Sequence, residues 1–240
     1  MAHLTGQERA RYVTRMFARI SKRYDLLNTI MSGGRHYAWR RLATYLGIEG
    51  LDHGPALDIA TGTGDFALDL ARRPEVTKVI GVDFTWDMLT IANRKAFSQK
   101  LSDRTIFAAG DAHCLPFKDN QFICTTVGFG IRNFIDLHKA LVEMVRVSRP
   151  GGRVVCLEIM RMEGRGLLPT ILPLHFRYVT PWLGALIAGD REAYTYLPKS
   201  VENFLSVKEL TDAMKNAGLS NVRYKKLGLG TVAIHIGEKS

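Results

Sequence analysis

The chain has 240 residues, 46% apolar and 23% charged, with 22 glycines that follow no three-residue period. These proportions exclude a disordered chain and a collagen-like one and fit one globular domain, 1–240, with a sizeable core. The net charge is +10, concentrated at the two ends: residues 1–50 hold nine Lys/Arg against three acids, while the middle of the chain is nearly neutral. Such an excess favours a polyanion, either nucleic acid or an anionic membrane surface, or is simply a solvated basic surface.

The first seventeen residues, MAHLTGQERARYVTRMF, are basic and lack the apolar segment of a secretory signal. Residues 7–23 predict a helix, because Tyr12, Val13, Met16, Phe17 and Ile20 recur at helical spacing with Arg on the other faces. Ser32-Gly33-Gly34 ends that pattern, and 36–47 predicts a second helix with Trp39, Leu42, Ala43 and Leu46 on one face. From Ala56 onward, strands are predicted at 56–60, 78–83, 105–109, 122–127 and 153–159, with helices at 65–73, 86–97 and 137–148 between them. That alternation predicts an α/β fold with a mostly parallel sheet covered on both faces. A helix at 207–217 and strands at 221–227 and 230–236, turning through Gly228, predict an antiparallel hairpin at the sheet's edge.

Residues 160–206 break the alternation. Their apolar stretch, Leu167–Ala188, is interrupted by Pro169, Pro173, His175, Arg177 and Pro181, so it fails as a membrane span and reads as an insertion after the fifth strand. In an open α/β sheet, ligands bind beyond the carboxyl ends of the strands. This insertion and the helical extension 1–50 are therefore the expected lid elements. Cys114, Cys124 and Cys156 show no C-x-x-C or zinc spacing; a reducing cytoplasm is expected and no metal site.

The first strand runs into Asp58-Ile59-Ala60-Thr61-Gly62-Thr63-Gly64-Asp65, a glycine loop opening a helix. Gly62-x-Gly64-x-x-Ala67 satisfies a loose dinucleotide fingerprint, so a nicotinamide or flavin cofactor has to be weighed. Four features favour S-adenosylmethionine instead. Asp58 can hold the ligand's ammonium group, whereas a carboxylate there repels a pyrophosphate. Asp83, ending the second strand, can accept from both ribose hydroxyls, a feature shared with dinucleotide sites. Asp111, with the backbone of Ala112, can read an adenine edge. Leu115-Pro116-Phe117 and Asp119–Phe122 then lead into the fourth strand. Each Asp alone reads as a helix cap or turn residue. Three of them at successive strand ends beside a glycine loop form a ligand constellation.

Together D-x-A-T-G-T-G-D, V-D, G-D-A-x-x-L-P-F and R-P-G-G resemble a class I, Rossmann-like methyltransferase. Tyr24-Asp25-Leu26-Leu27-Asn28-x-x-Met31-Ser32-x-x-x-His36-x-x-Trp39 resembles, more narrowly, the N-terminal signature of the ubiquinone/menaquinone-biosynthesis C-methyltransferases. Arg146–Gly152 resembles that family's second signature, and Phe129–Asn133 a further segment. The resemblance runs from about Tyr12 to the final hairpin. It implies S-adenosylmethionine contacts at Thr63, Asp83, Asp111, Ala112 and the backbone of Gly128, where many relatives carry Ser.

The implied substrate is a prenylated quinol such as demethylmenaquinol, methylated on a ring carbon for menaquinone or ubiquinone biosynthesis. An aromatic carbon becomes a competent nucleophile when a ring hydroxyl loses its proton, so the site must align the reactants and stabilise a phenolate. Arg132, too basic to act as a base, is assigned to lowering the quinol pKa, against an ion pair with a neighbouring acid. Asn133 is assigned to orientation and His36 to the base, against a satisfied histidine at a helix start. Tyr24 and Asp25 are candidates for the substrate pocket, Asp25 also as a turn cap. A prenyl tail gives the basic ends an anionic membrane surface to meet, so a cytoplasmic protein peripherally attached to the membrane's inner face is expected. The insertion's Leu167, Leu168, Ile171, Leu172, Phe176, Trp182 and Leu183 form either a tail tunnel or interfacial face, or a packed or homodimer-forming element. No nucleic-acid recognition module accompanies the charge.

Overall fold

The computed structural model describes residues 6–162 and 191–240. The apolar stretch Leu167–Ala188 lies outside them. Two helices lead: α1 (Gly6–Ser32) and α2 (Arg35–Ile48). Then come β1 (Gly54–Ile59), α3 (Asp65–Ala71), β2 (Val76–Asp83), α4 (Trp86–Ser98), β3 (Thr105–Ala109), β4 (Phe122–Gly128), α5 (Leu137–Val147) and β5 (Ser148–Ile159). After the undescribed stretch follow α6 (Arg191–Glu202), α7 (Val207–Asn216), β6 (Leu219–Leu227) and β7 (Val232–Lys239).

The seven strands form one sheet in the order β3-β2-β1-β4-β5-β7-β6. The first five run parallel, and β7 pairs antiparallel with both β5 and β6. The hairpin is present, but its antiparallel strand lies one place inside the edge. β6 forms the rim with exposed basic residues (Arg223, Lys225, Lys226) suited to an unpaired edge. Side chains alternate across the sheet. Leu57 and Ile59 face α5 and α7 through Leu141, Met144 and Leu210, while Ala56 packs on the other side with Phe66, Leu70 and Ile48.

α1 continues well past residue 23. In its last two turns Thr29 Oγ1 donates to Asp25 O (2.8 Å) and Ser32 Oγ to Asn28 O (2.6 Å), so these hydroxyls are satisfied within the helix while Leu27 and Met31 pack on its apolar face. Met16, Ile20 and Leu27 form that buried face, against Phe17, Tyr24, Met31 and Tyr196. Strand order reverses between β1 and β4, which opens a crevice at their carboxyl ends. α1 lies over that crevice.

Candidate active site

The glycine loop leaves β1 through Ala60 and Gly62, both with left-handed backbone (φ 51° and 53°). Only glycine takes that conformation freely. A Cβ added at Gly62 would meet no protein atom within 4 Å, so it would occupy space at the cavity wall. The Gly62 N–H donates to Asp83 Oδ2 and the Thr85 N–H to Asp83 Oδ1, both at 2.8 Å. Burial raises the Asp83 pKa, and hydrogen bonds from Thr85, Gly62 and Phe84 oppose that shift.

Asp83 borders a cavity of about 410 Å³ at the switch point, a size typical of small-ligand sites. Its wall includes Gly62, Val82, Met88, Asp111, Ala112, Gly128, Phe129 and Asn133, with Arg11, Val13, Thr14, Phe17 and Tyr24 of α1 above. At Gly128 a Cβ would stand 2.8 Å from Phe66 Cδ1, so any side chain there would need Phe66 to move. Asp111 is oriented by His113, whose backbone N–H (2.8 Å) and Nδ1 (2.6 Å) both reach Oδ1. His113 Nε2 accepts from the Asp136 N–H at 3.2 Å, so the ring proton sits on Nδ1 and is donated to Asp111.

A second, smaller cavity of about 110 Å³ adjoins the first. Phe17, Tyr24 and Phe129 belong to both walls, and Phe129 takes a left-handed backbone (φ 56°) to stand between them. The rest of its lining combines apolar Met16, Ile20, Met31, Trp39, Ile159 and Val232 with Asn28, Ser32, His36, Arg132, Tyr196 and Thr231 as polar groups. Burial lowers the His36 pKa to about 4, with Arg40 adding to the effect, so the imidazole is neutral at physiological pH. Burial likewise raises the Tyr24 phenol, which stays protonated. Arg132 does not present an isolated charge. Its Nη1 lies 2.6 Å from Glu158 Oε1 and donates to Phe129 O at 2.6 Å, and both side chains are buried. The alternative weighed for this residue, an ion pair, is what its geometry contains. Asn133 lines the larger cavity, and its Oδ1 accepts from the Tyr196 hydroxyl of α6 at 3.0 Å.

Four candidate residues stand away from both cavities. Asp58 is buried on the Ala56 side of the sheet, where Thr61 and Thr126 hydroxyls donate to its two oxygens at 2.6 and 2.7 Å; burial lifts its pKa to about 6. It buttresses the loop from below. Thr63 donates through Oγ1 to Asp25 Oδ1 (2.6 Å) and accepts from Lys95 Nζ (3.0 Å). Lys95 also lies 2.5 Å from both Asp25 Oδ2 and Asp65 Oδ1, and Arg40 lies 2.8 Å from Asp65 Oδ2. Gly64 caps α3 with φ 83° beside this network. Asp25 and Thr63 therefore fasten α1 to the glycine loop. Sequence reasoning passed over Lys95, Asp65 and Arg40, because three helices bring them together.

The model of the ubiE/COQ5 methyltransferase family matches residues 4–239. The chain belongs to that family. Among curated relatives, demethylmenaquinone methyltransferases from Thermus thermophilus and Deinococcus radiodurans are 46% and 43% identical, covering 93% and 97% of this chain and 100% and 95% of theirs. A ubiquinone/menaquinone biosynthesis C-methyltransferase from Desulfotalea psychrophila is 40% identical over 95% of this chain and 90% of its own. Solved structures share the fold. A SAM-dependent methyltransferase from Thermotoga maritima, described as a possible histamine N-methyltransferase, has a TM-score of 0.64 at 21% identity and covers 94% of this chain and 99% of that one. The cyclase SpnF has a TM-score of 0.70 at 19% identity, covering 98% and 97%. A cyclase on the same architecture means that substrate and reaction must be argued from the site. For this ubiE/COQ5 family methyltransferase, the site consists of a carboxylate-bearing cavity at the switch point, joined to an apolar one that holds a neutral histidine.

Proposed function

We propose that the protein transfers a methyl group from S-adenosylmethionine to a ring carbon of a prenylated quinol, with demethylmenaquinol as substrate and menaquinone as the final product. The observation that carries this reading is the pair of adjoining cavities under α1. The larger one fits the methyl donor: the Asp83 carboxylate at its wall suits ribose hydroxyls, Asp111 and the Ala112 backbone suit an adenine edge, and Gly62 and Gly128 allow close backbone approach. When bound, that donor supplies an electrophilic methyl group on a sulfonium, which leaves as a neutral thioether.

The smaller cavity suits a flat apolar ring. Tyr24, Phe17 and Phe129 would hold the ring at the boundary and exclude water. Asn133, fixed by Tyr196, orients a polar substituent. Arg132 offers a guanidinium edge whose charge Glu158 balances, so it works through position more than through net charge. The names of the curated relatives support the quinone substrate.

The same proposal extends to where the enzyme works. No described helix is long and apolar enough to cross a membrane. Arg11, Arg15, Arg19 and Lys22 are exposed and fall on one face of α1 at helical spacing, followed on that face by exposed Leu26 and Ile30. A basic stripe ending in apolar residues suits an anionic membrane surface, here the cytoplasmic face, where a prenylated substrate resides.

The test is calorimetric titration with S-adenosylmethionine, followed by labelled methyl transfer to a short-tail demethylmenaquinol and to a short-tail benzoquinol. Binding and preferential labelling of the naphthoquinol are expected. Absence of binding, or labelling of neither quinol, would overturn the reading.

A further inference from the structure

His36 holds an unusual position. It is 3% exposed and lines the smaller cavity, and its Nε2 has no hydrogen-bond partner although it is buried. An orphaned ring nitrogen in an apolar wall is costly unless a ligand completes it. The neighbouring hydrogen bonds fix which nitrogen carries the proton. Ser32 Oγ sits 2.6 Å from Asn28 O, a distance that requires the hydroxyl proton to lie between them. That proton is then committed, so Ser32 Oγ acts as an acceptor toward His36. His36 Nδ1, 2.7 Å from Oγ, must be the donor. Nε2 is therefore left with a lone pair. The Tyr37 ring, 3.9 Å away centroid to centroid, holds the imidazole plane.

We infer that His36 Nε2 is the acceptor for the proton of the substrate's ring hydroxyl, and that Ser32 is a positioning residue that locks the tautomer able to accept it. The inference rests on the quinol reading above. In the step, the ring O–H bond breaks, the proton forms a bond to Nε2, and the oxygen's electron pair flows into the ring so that the ring carbon bonds the methyl group as its bond to sulfur breaks. The ring C–H proton then leaves to solvent as the ring regains aromaticity and the keto oxygen takes back the proton from Nε2. The charged groups around His36 are Arg40 on α2, Asp25 on α1, Asp65 on α3, Lys95 on α4 and Arg132 in the cavity wall. Glu158 balances Arg132, and the two acids and two bases that remain nearly cancel, with Arg40 the strongest of them, so the surroundings do not favour an imidazolium in the resting site. That disadvantage is met during the reaction. The positive charge gained by His36 replaces the one lost at the methyl donor, and the acidity of the ring hydroxyl climbs steeply as the new carbon–carbon bond forms.

Side-chain ¹⁵N–¹H correlation spectra of the full-length protein, with 1-naphthol as a non-methylated ring probe, test this directly. A neutral Nδ1–H ring is expected for His36 at pH 7, with its Nε2 resonance moving as the naphthol saturates. Ser32→Ala should scramble the tautomer and lower kcat more than it changes KM, and Ser32→Thr should restore both. His36→Gln should lower kcat by about 10²–10⁴-fold, the usual range for a lost acid–base group, with S-adenosylmethionine affinity within about twofold of wild type. An Nε2–H ring, an Nε2 resonance indifferent to saturating naphthol, or full kcat in His36→Gln would each overturn the inference. If wild type neither binds S-adenosylmethionine nor methylates a quinol, the quinol reading fails. The naphthol titration still decides the hydroxyl-acceptor site in that case.

Discussion

Removing Arg132 should act on stability before it acts on chemistry. Its guanidinium is the only charge of opposite sign that the described residues place against Glu158, which is itself wholly buried in β5. Glu158 Oε1 also accepts from the Ile159 N–H at 2.8 Å, and Oε2 from the Arg132 N–H at 3.3 Å, so the carboxylate is built into the strand end and cannot swing out to water. Arg132→Ala leaves that carboxylate without its counter-ion and frees the Phe129 carbonyl at the wall between the cavities. Breaking a buried pair from one side costs roughly 3–5 kcal/mol. At about 2–4 °C per kcal/mol for a chain of this size, the melting temperature should fall by about 6–20 °C. Arg132→Met combined with Glu158→Gln removes both charges and should recover most of that loss. Differential scanning calorimetry of the two single variants and the double variant is the assay. A melting temperature within about 1 °C of wild type for Arg132→Ala would refute the reasoning and return Arg132 to the role of a substrate-facing cation.

Asp83→Asn replaces a carboxylate with an amide that can satisfy only one of the two N–H donors. S-adenosylmethionine binding should weaken by about 1.5–3 kcal/mol, or roughly 10–150-fold, and unchanged calorimetric affinity in a folded variant would remove Asp83 from the cofactor site. Lys95→Met unties α1 from the glycine loop and should speed dissociation of S-adenosylhomocysteine several-fold in stopped flow; an unchanged rate would separate this network from access to the cavity. His235, buried with its Nε2–H donating to Val207 O, has its pKa lowered from 6.5 to about 4, chiefly by burial. The unfolded chain binds more protons across that window, so this contribution is full above pH 6.5 and is lost as pH falls toward 4, roughly 3 kcal/mol in all. Urea titrations of wild type and His235→Gln at pH 7 and 4.5 should show a shallower pH dependence in the variant; parallel slopes would contradict it. Replacing Arg15, Arg19 and Lys22 together with Gln should cost about 1 kcal/mol each in binding to anionic vesicles, and equal sedimentation with neutral vesicles would assign the basic stripe elsewhere.

Much of this architecture is legible in the sequence because the sheet is buried on both faces. Each central strand reads as a short apolar run, and carboxylates at the ends of β2 and β3 stand out against it. Asp83, Asp111, Ala112 and Gly62 were found that way, and all four border the larger cavity. The residues read differently are those whose meaning depends on a distant partner. Asp25 and Thr63 read as ligand-facing groups in the sequence, and nothing local shows that Lys95 joins them across the fold. For Arg132 the sequence offers an ion pair only as an alternative and does not name its partner, Glu158, 26 residues later and 2.6 Å away. One signal was available there: Glu158 is the lone acid in the apolar run Val154–Ile159, and a buried acid needs a cation. The end of α1 escaped because Asp25, Asn28, Thr29 and Ser32 dilute its periodicity, and their side-chain-to-backbone bonds appear only in three dimensions. The inward place of β7 follows from sheet order, which no local pattern encodes.

The central claim is that a methyl group reaches a ring carbon of a prenylated naphthoquinol. The most direct measurement incubates the protein with deuteriomethyl-labelled S-adenosylmethionine and a short-tail demethylmenaquinol, and then locates the label by mass spectrometry and NMR of the extracted product. A single CD₃ group is expected on the unsubstituted ring carbon adjacent to the prenylated one, formed by wild type and greatly reduced in His36→Gln. A label found on a ring oxygen, or none in the quinol while the protein binds the donor, would contradict it.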